Sequence, residues 1–516
     1  MKPVLRIFLP AAALLLGATG VHAAPKILLP DLPCREVAGE AVFFGFDQNA
    51  FPYQYRLQTR LMAGKFDSVA VPHGPPGAHD EFIRYYGAVI RIDGKFRMWY
   101  YGQSGPEPDS NGFGHGGHPN KALCYATSDD AVHWVKPKLG LVEFNGSKDN
   151  NIVALNDPGA VVSAAVLYDP EDPRPERRFK IVYESMRGGV RPSPCVAFSP
   201  DGLTWTPWPT PIGDFLEMQG ITKFCGRYFV NGQSPGSGGF PRRKLLTLVS
   251  GDFEHWSPPA EGMNRSNDYN TPFLGTPLRE SDNYEEIHLG AALWNRGNVL
   301  LGIYGQWHST ANGDRRLVTM DLGLTVTHDA IHHVEPIPGF KIIPSREQPG
   351  SAAFDMPALM QGQGMENVGD KTYYWYSFWK GNAATGVRLA TWDRDRLGLL
   401  KPYHAGTINF PPPDHGFQAI TCRFQVTPGD HADVFVNATG LGSQTRIRAT
   451  LLDHTFKPIP GFTAVLQKSG LRIPVAWENN RKVDAALGET HLQLKFEGMR
   501  PEDGSLYAAY VVPVSP

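Results

Sequence analysis

The stretch "YATSDDAVHWVKP", beginning at Tyr125, recurs along the chain, and that recurrence constrains the fold more than any other feature. It is echoed by "VAFSPDGLTWTPW" at Val196, "TLVSGDFEHWSPP" at Thr247, "LTVTHDAIHHVEP" at Leu324 and, more weakly, "LATWDRDRLGLLKP" at Leu389. Each copy follows a run rich in aromatic and β-branched residues: "GKFRMWYYG", "RRFKIVYES", "GRYFVNGQ", "GNVLLGIYGQW" and "KTYYWYSFW". Each of those follows another apolar run such as "GAVIRID" or "AALWNR". The unit therefore reads as strand, tight turn, strand, loop, strand, Ser/Thr-x-Asp turn, strand. Repeated units that cannot bury both apolar faces alone must stack on their neighbours, which predicts a five-bladed β-propeller over residues 76–405. The Asp of each turn is expected to cap its own backbone, and the Trp or His after it to pack between blades. Neither receives a chemical role.

Beyond residue 405 the pattern changes to short alternating strands such as "ADVFVNATG", "TRIRATLLD" and "HLQLKFEG", expected to form a C-terminal β-sandwich accessory domain over 406–516. Residues 25–75 read as an extended lead-in that lends a strand to close the ring or covers an edge. Amphipathic helical stretches are almost absent and Gly and Pro number 55 and 45, so the fold class is all-β. Residues 1–24 carry Lys2 and Arg6, an apolar stretch, then small residues up to Ala23, the plan of a cleaved signal peptide, so export to the periplasm or medium is expected. Cys34 lies well past the cleavage point, which argues against a lipid anchor.

With 49 basic and 51 acidic residues and no basic run, nucleic acid and anionic membrane are poor partners. Oligomeric state is left open. The five cysteines have neither metal-site spacing nor the look of a disulfide framework, although one pair could form in an oxidising compartment. His115 and His118, in "GFGHGGHPN", are of metal-binding type but nonspecific spacing, so no metal site is assigned and no cofactor is expected. A central calcium stays compatible, because oxygen ligands leave no fixed spacing.

In a propeller the first strands of the blades converge on one mouth of the channel. Their starts, "HDEFIRYYG", "LNDPGAVVS", "FLEMQGI", "NYEEIHLG" and "AAFDMPA", supply Asp80 with His79 and Glu81, then Asp157, Glu217, Glu286 with Glu285 and His288, and Asp355. Loops add Arg187, Arg242, Arg243, Trp307, His308, Arg315 and Arg316. A ring of carboxylates beside aromatic and arginine side chains fits glycoside hydrolysis, in which one acid protonates the departing oxygen and a second attacks or activates water. Glu217 stands out because a carboxylate among apolar neighbours needs an explanation. Trp307 is expected to stack on a sugar ring.

These stretches resemble the propeller glycosidases of glycoside hydrolase families 32 and 43, in particular the exported bacterial family-32-like glycosyl hydrolases. The likeness rests on "YYGAVIRIDGKFRMWYYG", "CYATSDDAVHWVKPKLGLVEFNGSKDNNIV" and "DLGLTVTHDAIHHVEPIPGFKII", with "VFVNATGLG" and "LLDHTFKPIPGF" in the tail. It implies that Glu217 is the general acid, in the place of the Glu of an "ECP" motif, here followed by Met-Gln. The Asp of the family's "NDPNG" would land near Tyr86, the nearest acid being Asp80. There is no "RDP" motif in blade two, where Asp169 stands at the wrong end of its strand. The resemblance thus implies an exported glycosidase acting on a polysaccharide or oligosaccharide with a rearranged acid set, Glu217, Asp80, Asp355 and Glu286. His79, Arg242, Arg243, His288, Trp307, His308 and Arg315 would bind substrate. Two alternatives stand beside it: a noncatalytic carbohydrate-binding propeller, and a phosphorylase that clamps phosphate with Arg242, Arg243, Arg315 or Arg316.

Overall fold

The computed structural model describes residues 25–104, 121–188, 193–213, 216–233, 243–258, 260–264, 285–309, 314–353, 355–379, 386–403 and 416–514. Within them the regular elements are strands, interrupted only by three-residue 3-10 turns. No helix among the described residues is long and apolar enough to cross a membrane.

Five groups of sequential antiparallel strands follow the repeat. The first holds Phe82–Ile92, Lys95–Gln103 and Lys121–Ser128; the second Ala160–Tyr168, Phe179–Ser185, Ser193–Ser199 and Thr206–Pro207. The third holds Glu217–Phe224, Arg227–Gln233, Lys244–Ser250 and Ala260–Asn264; the fourth Glu285–Asn295, Leu300–His308, Thr319–Thr327 and Lys341–Ile343. The fifth holds Leu359–Val368, Lys371–Phe378 and Val387–Asp393, and takes its outer strand, Lys65–Val71, from the lead-in. A single parallel pairing, Gln363 with Ala88, joins the fifth group to the first. Each leading strand lies against the next, and the fifth lies back on the first, so the leading strands enclose a ring.

Aromatic side chains fill the spaces between groups. Trp99 of the first sheet meets Phe179 of the second at 6.1 Å between ring centroids, and Trp134 meets Trp375 of the fifth edge-on at 6.0 Å. The turns behave as their composition dictates. Asp130 accepts from the N–H groups of Val132 and His133, Asp201 from Leu203 and Thr204, Asp252 from Glu254 and His255, and Asp329 from Ile331 and His332, all at 2.7–3.0 Å. The residue after each Asp is left-handed, with φ of 70° at Ala131, 78° at Gly202, 68° at Phe253 and 63° at Ala330. The fifth copy departs. Its left-handed residue is Asp395 itself (φ 59°), whose buried carboxylate receives Arg296, Asn367 and the Tyr510 hydroxyl.

Two further sheets share one core containing Phe43, Leu400, Phe417, Val434, Ile447 and Phe496. One orders Gly470–Pro474, His431–Thr439, Ser505–Val514, Gly398–Pro402 and Leu57–Leu61; the other orders Pro458–Leu466, Thr445–Asp453, Thr490–Gly498, Phe417–Ile420 and Tyr53–Tyr55. The lead-in therefore contributes a strand to each of these sheets as well as to the fifth group. Cys34 and Cys225 form a disulfide that ties the lead-in to the third group, while Cys124, Cys195 and Cys422 are free and buried.

Side-chain amides stitch the centre. The Gln363 carboxamide accepts from the Ile221 N–H at 2.6 Å and donates to the Ile221 carbonyl at 2.8 Å. Because the third and fifth leading strands are not neighbours in the ring, this clasp crosses it. Asn231 clasps Ala291 in the same way, at 2.8 and 3.1 Å, between adjacent strands.

Candidate active site

Glu217 opens the leading strand of the third group, paired in register with Gln233. Gln233 is buried and its amide has no freedom. Its carbonyl oxygen accepts from the Leu289 N–H at 2.7 Å, so its NH2 group must face, and donates to, the Glu217 carboxylate. This fixes where the carboxylate points.

A second carboxylate lies within the field of Glu217. Glu184, next to the end of Phe179–Ser185, is buried, and its carboxyl is held well above the usual range, first by burial and then by the charge of Glu217, with Lys121 opposing. Tyr86 lies within the field of both acids and of Arg84 and Arg243, with burial as the main force pushing its hydroxyl upward. Lys121 is pushed down to about 8, first by burial, then by Arg84, against the pull of Glu184. Across the mouth, Arg243 stands 3.5 Å from Glu286 and 4.3 Å over the ring of Trp307. His288 stacks on the same ring at 5.3 Å and 17°, and touches Tyr86 and Trp379 at 6.2 and 5.6 Å. Four sheets thus place acids and cations around one mouth, and Trp379 of the fifth adds an aromatic wall.

Of the residues expected from sequence, Glu217, Glu286, Arg243, His288 and Trp307 come together there. The rest do not. Asp80 is buried, accepts from the Tyr100 hydroxyl at 2.9 Å and pairs with Lys136 at 2.6 Å. These partners lie on the face of the first sheet that packs with Trp375 and Leu389 of the fifth. Tyr101, one residue on, carries Lys121 on the opposite face, as strand alternation requires. His79 bonds Asn151 at 2.5 Å, and Asn151 in turn donates to Tyr100, so His79 belongs to the Asp80 network. His308 is clamped between Glu285 at 2.7 Å and Asp321 at 2.9 Å, with Lys341 also on Asp321. Burial would lower its pKa, but these two carboxylates win and raise it. Its role is structural. Trp307 is only 4% exposed, with Arg243 and His288 against its ring, so it is a packed support and not an open platform for a sugar.

Asp157 is held by Arg187 at 2.7 Å and the Tyr183 hydroxyl at 2.8 Å. Asp169 meets Lys223 and Tyr228 between the second and third groups. Asp355 is exposed, and Arg316 bonds exposed at Asp314. Arg242, His115 and His118, and the side chain of Arg315, lie outside the described residues. Among the described residues, Asp252, Glu254 and His255 could bring three ligand atoms together, but Glu254 is engaged by Arg174 and Arg177 and His255 by Asp252.

Sequence reasoning missed Glu184, Tyr86, Lys121, Arg84, Trp379 and the positioning Gln233. The signal that singled out Glu217, a carboxylate inside an apolar run, is equally present at Glu184 in "KIVYES". Glu184 lies at the end of its strand, whereas the expectation from the repeat placed site residues at strand starts and in loops.

No protein-family model matches the chain, and no curated protein matches it. Solved structures do. A glycoside hydrolase of the GH130 family of mannoside phosphorylases, described as targeting β-1,2 mannosidic linkages in Candida mannan, aligns at 19% identity and TM-score 0.43 over 65% of this chain and 95% of its own. A glycosyl hydrolase from Bacteroides ovatus aligns at 17% identity and TM-score 0.42, again over 65% and 95%. An N-acetylgalactosamine deacetylase from F. plautii, in complex with blood group B trisaccharide, aligns at 13% and 0.42 over 65% and 97%.

Proposed function

We propose that the protein is an exported glycoside hydrolase, built as a five-bladed β-propeller with an accessory β-sandwich, in which Glu184 is the general acid and Glu217 its ionised partner. What supports this reading is that Glu184, buried at the end of its strand, lies within the field of Glu217 at the head of the next leading strand. Like charges so placed cannot both ionise cheaply, so one acid keeps its proton. The more buried Glu184 is the better holder of that proton. Glu217 accepts the Gln233 amide, a bond that favours its charged form. The role first expected of Glu217 therefore passes to Glu184. Glu184 delivers its proton to the departing oxygen as the glycosidic bond breaks; Glu217 either attacks the anomeric carbon or takes a proton from the attacking water. Arg243, fixed by Glu286 and Trp307, borders the developing charge. The disulfide and the leader-like residues 1–24 support passage through an oxidising compartment.

The test is hydrolysis of nitrophenyl glycosides and of plant and microbial oligosaccharides by the mature protein, beside Glu184→Gln, Glu217→Gln and Asp80→Asn. Nitrophenolate leaves without protonation. Glu184→Gln should therefore lose at least about 100-fold in kcat on oligosaccharides, within the usual span for general acid catalysis, while sparing the nitrophenyl substrates. Glu217→Gln should lose both activities and Asp80→Asn neither. Full activity in Glu184→Gln would refute the assignment. Glycan binding without turnover by the wild-type protein would instead favour the binding-propeller reading.

A further inference from the structure

The hairpin that joins Thr445–Asp453 to Pro458–Leu466 carries an aromatic residue where its backbone asks for glycine. The Asp453 carboxylate accepts from the Thr455 N–H at 2.8 Å, the Thr455 hydroxyl at 2.7 Å and the Lys457 N–H at 3.0 Å, and the Phe456 N–H donates to the Asp453 carbonyl at 2.9 Å. This tight loop fixes Phe456 at φ 64°, in the left-handed region that glycine enters freely and a bulky residue enters at a steric cost. Little burial is gained in return, since Phe456 is 43% exposed. Strain held at an exposed side chain points to a use for that side chain.

The ring is aimed by its neighbours. His491 is buried, its Nδ1–H donates to the Thr421 carbonyl at 2.7 Å, and Phe456 lies nearly flat on its ring, at 4.6 Å and 17°. Tyr53 stands edge-on to both, 5.0 Å from Phe456 and 5.9 Å from His491. With those separations Tyr53 sits beside the stack, so neither ring covers the outer face of Phe456. Tyr53 and Tyr55 pair in register with Ile420 and Gln418, and these pair with Gln493 and Lys495. The alternate residues Ala419, Leu492 and Leu494 enter the core, so Tyr53, Tyr55, Gln418 and Gln493 lie on the outward face of the sheet. There the Gln493 NH2 group donates to the Gln418 carbonyl at 2.6 Å. The Gln418 NH2 group and the Gln493 carbonyl are left without a partner among the described residues. Tyr403 and Gly416, which border residues 404–415, stand at the Arg56 end of the edge strand, so Tyr53 and Phe456 lie at its other end.

Tyr53 and Tyr55 are 48% and 38% exposed. With Phe456 they offer on the order of 250 Å² of ring surface, well short of the about 800 Å² that each partner brings to a standard protein interface. A short row of rings beside unpaired amides suits a sugar chain, whose C–H faces lie on aromatic rings and whose hydroxyls meet amide groups. We propose that Phe456, Tyr53 and Tyr55 form a glycan-binding platform, on which sugar rings of one chain stack while their hydroxyls meet the amides of Gln418 and Gln493. The platform lies on the C-terminal sheets, whereas the mouth is built by the five repeated groups. It therefore goes beyond the glycosidase reading, needs no turnover, and gives a polymeric substrate a second point of attachment.

The test is affinity electrophoresis of the mature protein in native gels containing β-mannan, xyloglucan, galactan, arabinan or levan, with tyrosine nitration mapped by mass spectrometry in parallel. At least one glycan should retard the wild-type protein and shield Tyr53 and Tyr55 from nitration. The double variant Tyr53→Ala/Phe456→Gly should bind that glycan about tenfold more weakly, the worth of a lost aromatic contact. Glycine suits the backbone at 456, and Phe456→Gly alone, with an unchanged Tm, should already show part of the loss. Retardation by none of the glycans would overturn the proposal. So would retardation that leaves Tyr53 and Tyr55 as reactive as in the free protein, or that persists undiminished in the double variant. A dimer seen in sedimentation without glycan and dissolved by Phe456→Gly would assign the rings to a second copy of the chain instead. Shielding of Tyr53 in a protein that hydrolyses nothing would uphold the platform and sink only the glycosidase reading. Hydrolysis of nitrophenyl glycosides without retardation by any glycan would do the reverse.

Discussion

Breaking the Cys34–Cys225 disulfide should destabilise the molecule by an amount that the loop length sets. Cys34 lies between the strands Lys26–Leu28 and Glu36–Ala38, and Cys225 in the turn between Glu217–Phe224 and Arg227–Gln233. The bridge spans 191 residues. In the chain-entropy model, closing a loop of that length removes about 18 cal/mol/K from the unfolded chain, or about 5 kcal/mol at room temperature. Measured bridges usually deliver less, typically about 2–4 kcal/mol. A cooperative unit of roughly 490 residues unfolds with an entropy on the order of 1 kcal/mol/K, so the full effect corresponds to a fall in Tm of about 5 °C. Cys225 is exposed, which gives a reductant access, whereas Cys34 is packed with Phe224 and Phe229. The assay is calorimetry of the mature protein with and without reductant, beside Cys34→Ser/Cys225→Ser. Reduced wild type and the double variant should melt together, a few degrees below the oxidised protein. Thiol labelling in denaturant should find three thiols before reduction and five after. Five reactive thiols without reductant, or a Tm that moves by less than about 1 °C, the shift expected of only ~1 kcal/mol in so large a unit, would refute the reasoning.

Glu184 ties stability to pH in a definite direction. Its folded-state pKa lies above the unfolded value, so the stability it contributes is complete below the unfolded pKa and is lost as pH rises through the folded one. Glu184→Gln should therefore match wild type in urea midpoint at acid pH and exceed it increasingly towards alkaline pH. A constant offset would show that the group does not titrate as argued. Wild-type kcat/KM should fall on the same alkaline limb, because a general acid must carry its proton. Asp80→Asn removes the charge facing Lys136, which is itself 28% exposed, so the cost should be about 1–3 kcal/mol, below that of a fully buried pair. Denaturant melts would read it, and a kcat per folded molecule that fell along with stability would return Asp80 to the chemistry. Asp395→Ala leaves Arg296 without its closest carboxylate at a fully buried position and should cost about 3–5 kcal/mol. A variant that melted within 1 °C of wild type would contradict the importance of that contact.

The parts of this molecule legible in its sequence are those whose cause is local. A Ser/Thr-x-Asp turn needs a short acceptor side chain, two N–H groups just beyond it and a residue that tolerates positive φ. Four copies meet those needs within six residues, so the strands on either side could be counted directly. The fifth copy was harder to see because its acid had left the turn to bind Arg296 and Tyr510, a cause that lies elsewhere in the chain. The lead-in was opaque for the same reason: Lys26 meets Thr427 across 401 residues, and no local pattern announces such a pairing.

At the site the difficulty was parity. A strand start lies near the mouth, but which face a side chain joins depends on its position modulo two, and a bulge changes the count. Neighbouring residues show the consequence. Tyr100 serves Asp80 while Tyr101 carries Lys121, and Glu286 meets Arg243 while Glu285 holds His308. The register slips between Arg84 and Ala88, between Met218 and Gly220 and between His288 and Ala292, within the leading strands themselves. These irregularities let Tyr86 and His288 turn towards the mouth, and they interrupt the alternation by which a reader would have placed them. Chemistry of a residue in its run is a better guide than its place in the repeat. Glu184 and Glu217 are both carboxylates set among apolar neighbours, and burial that expensive is kept only where each acid has a charge or a donor to answer it. That argument needs no register, and it selects two acids of which one lies in the field of the other.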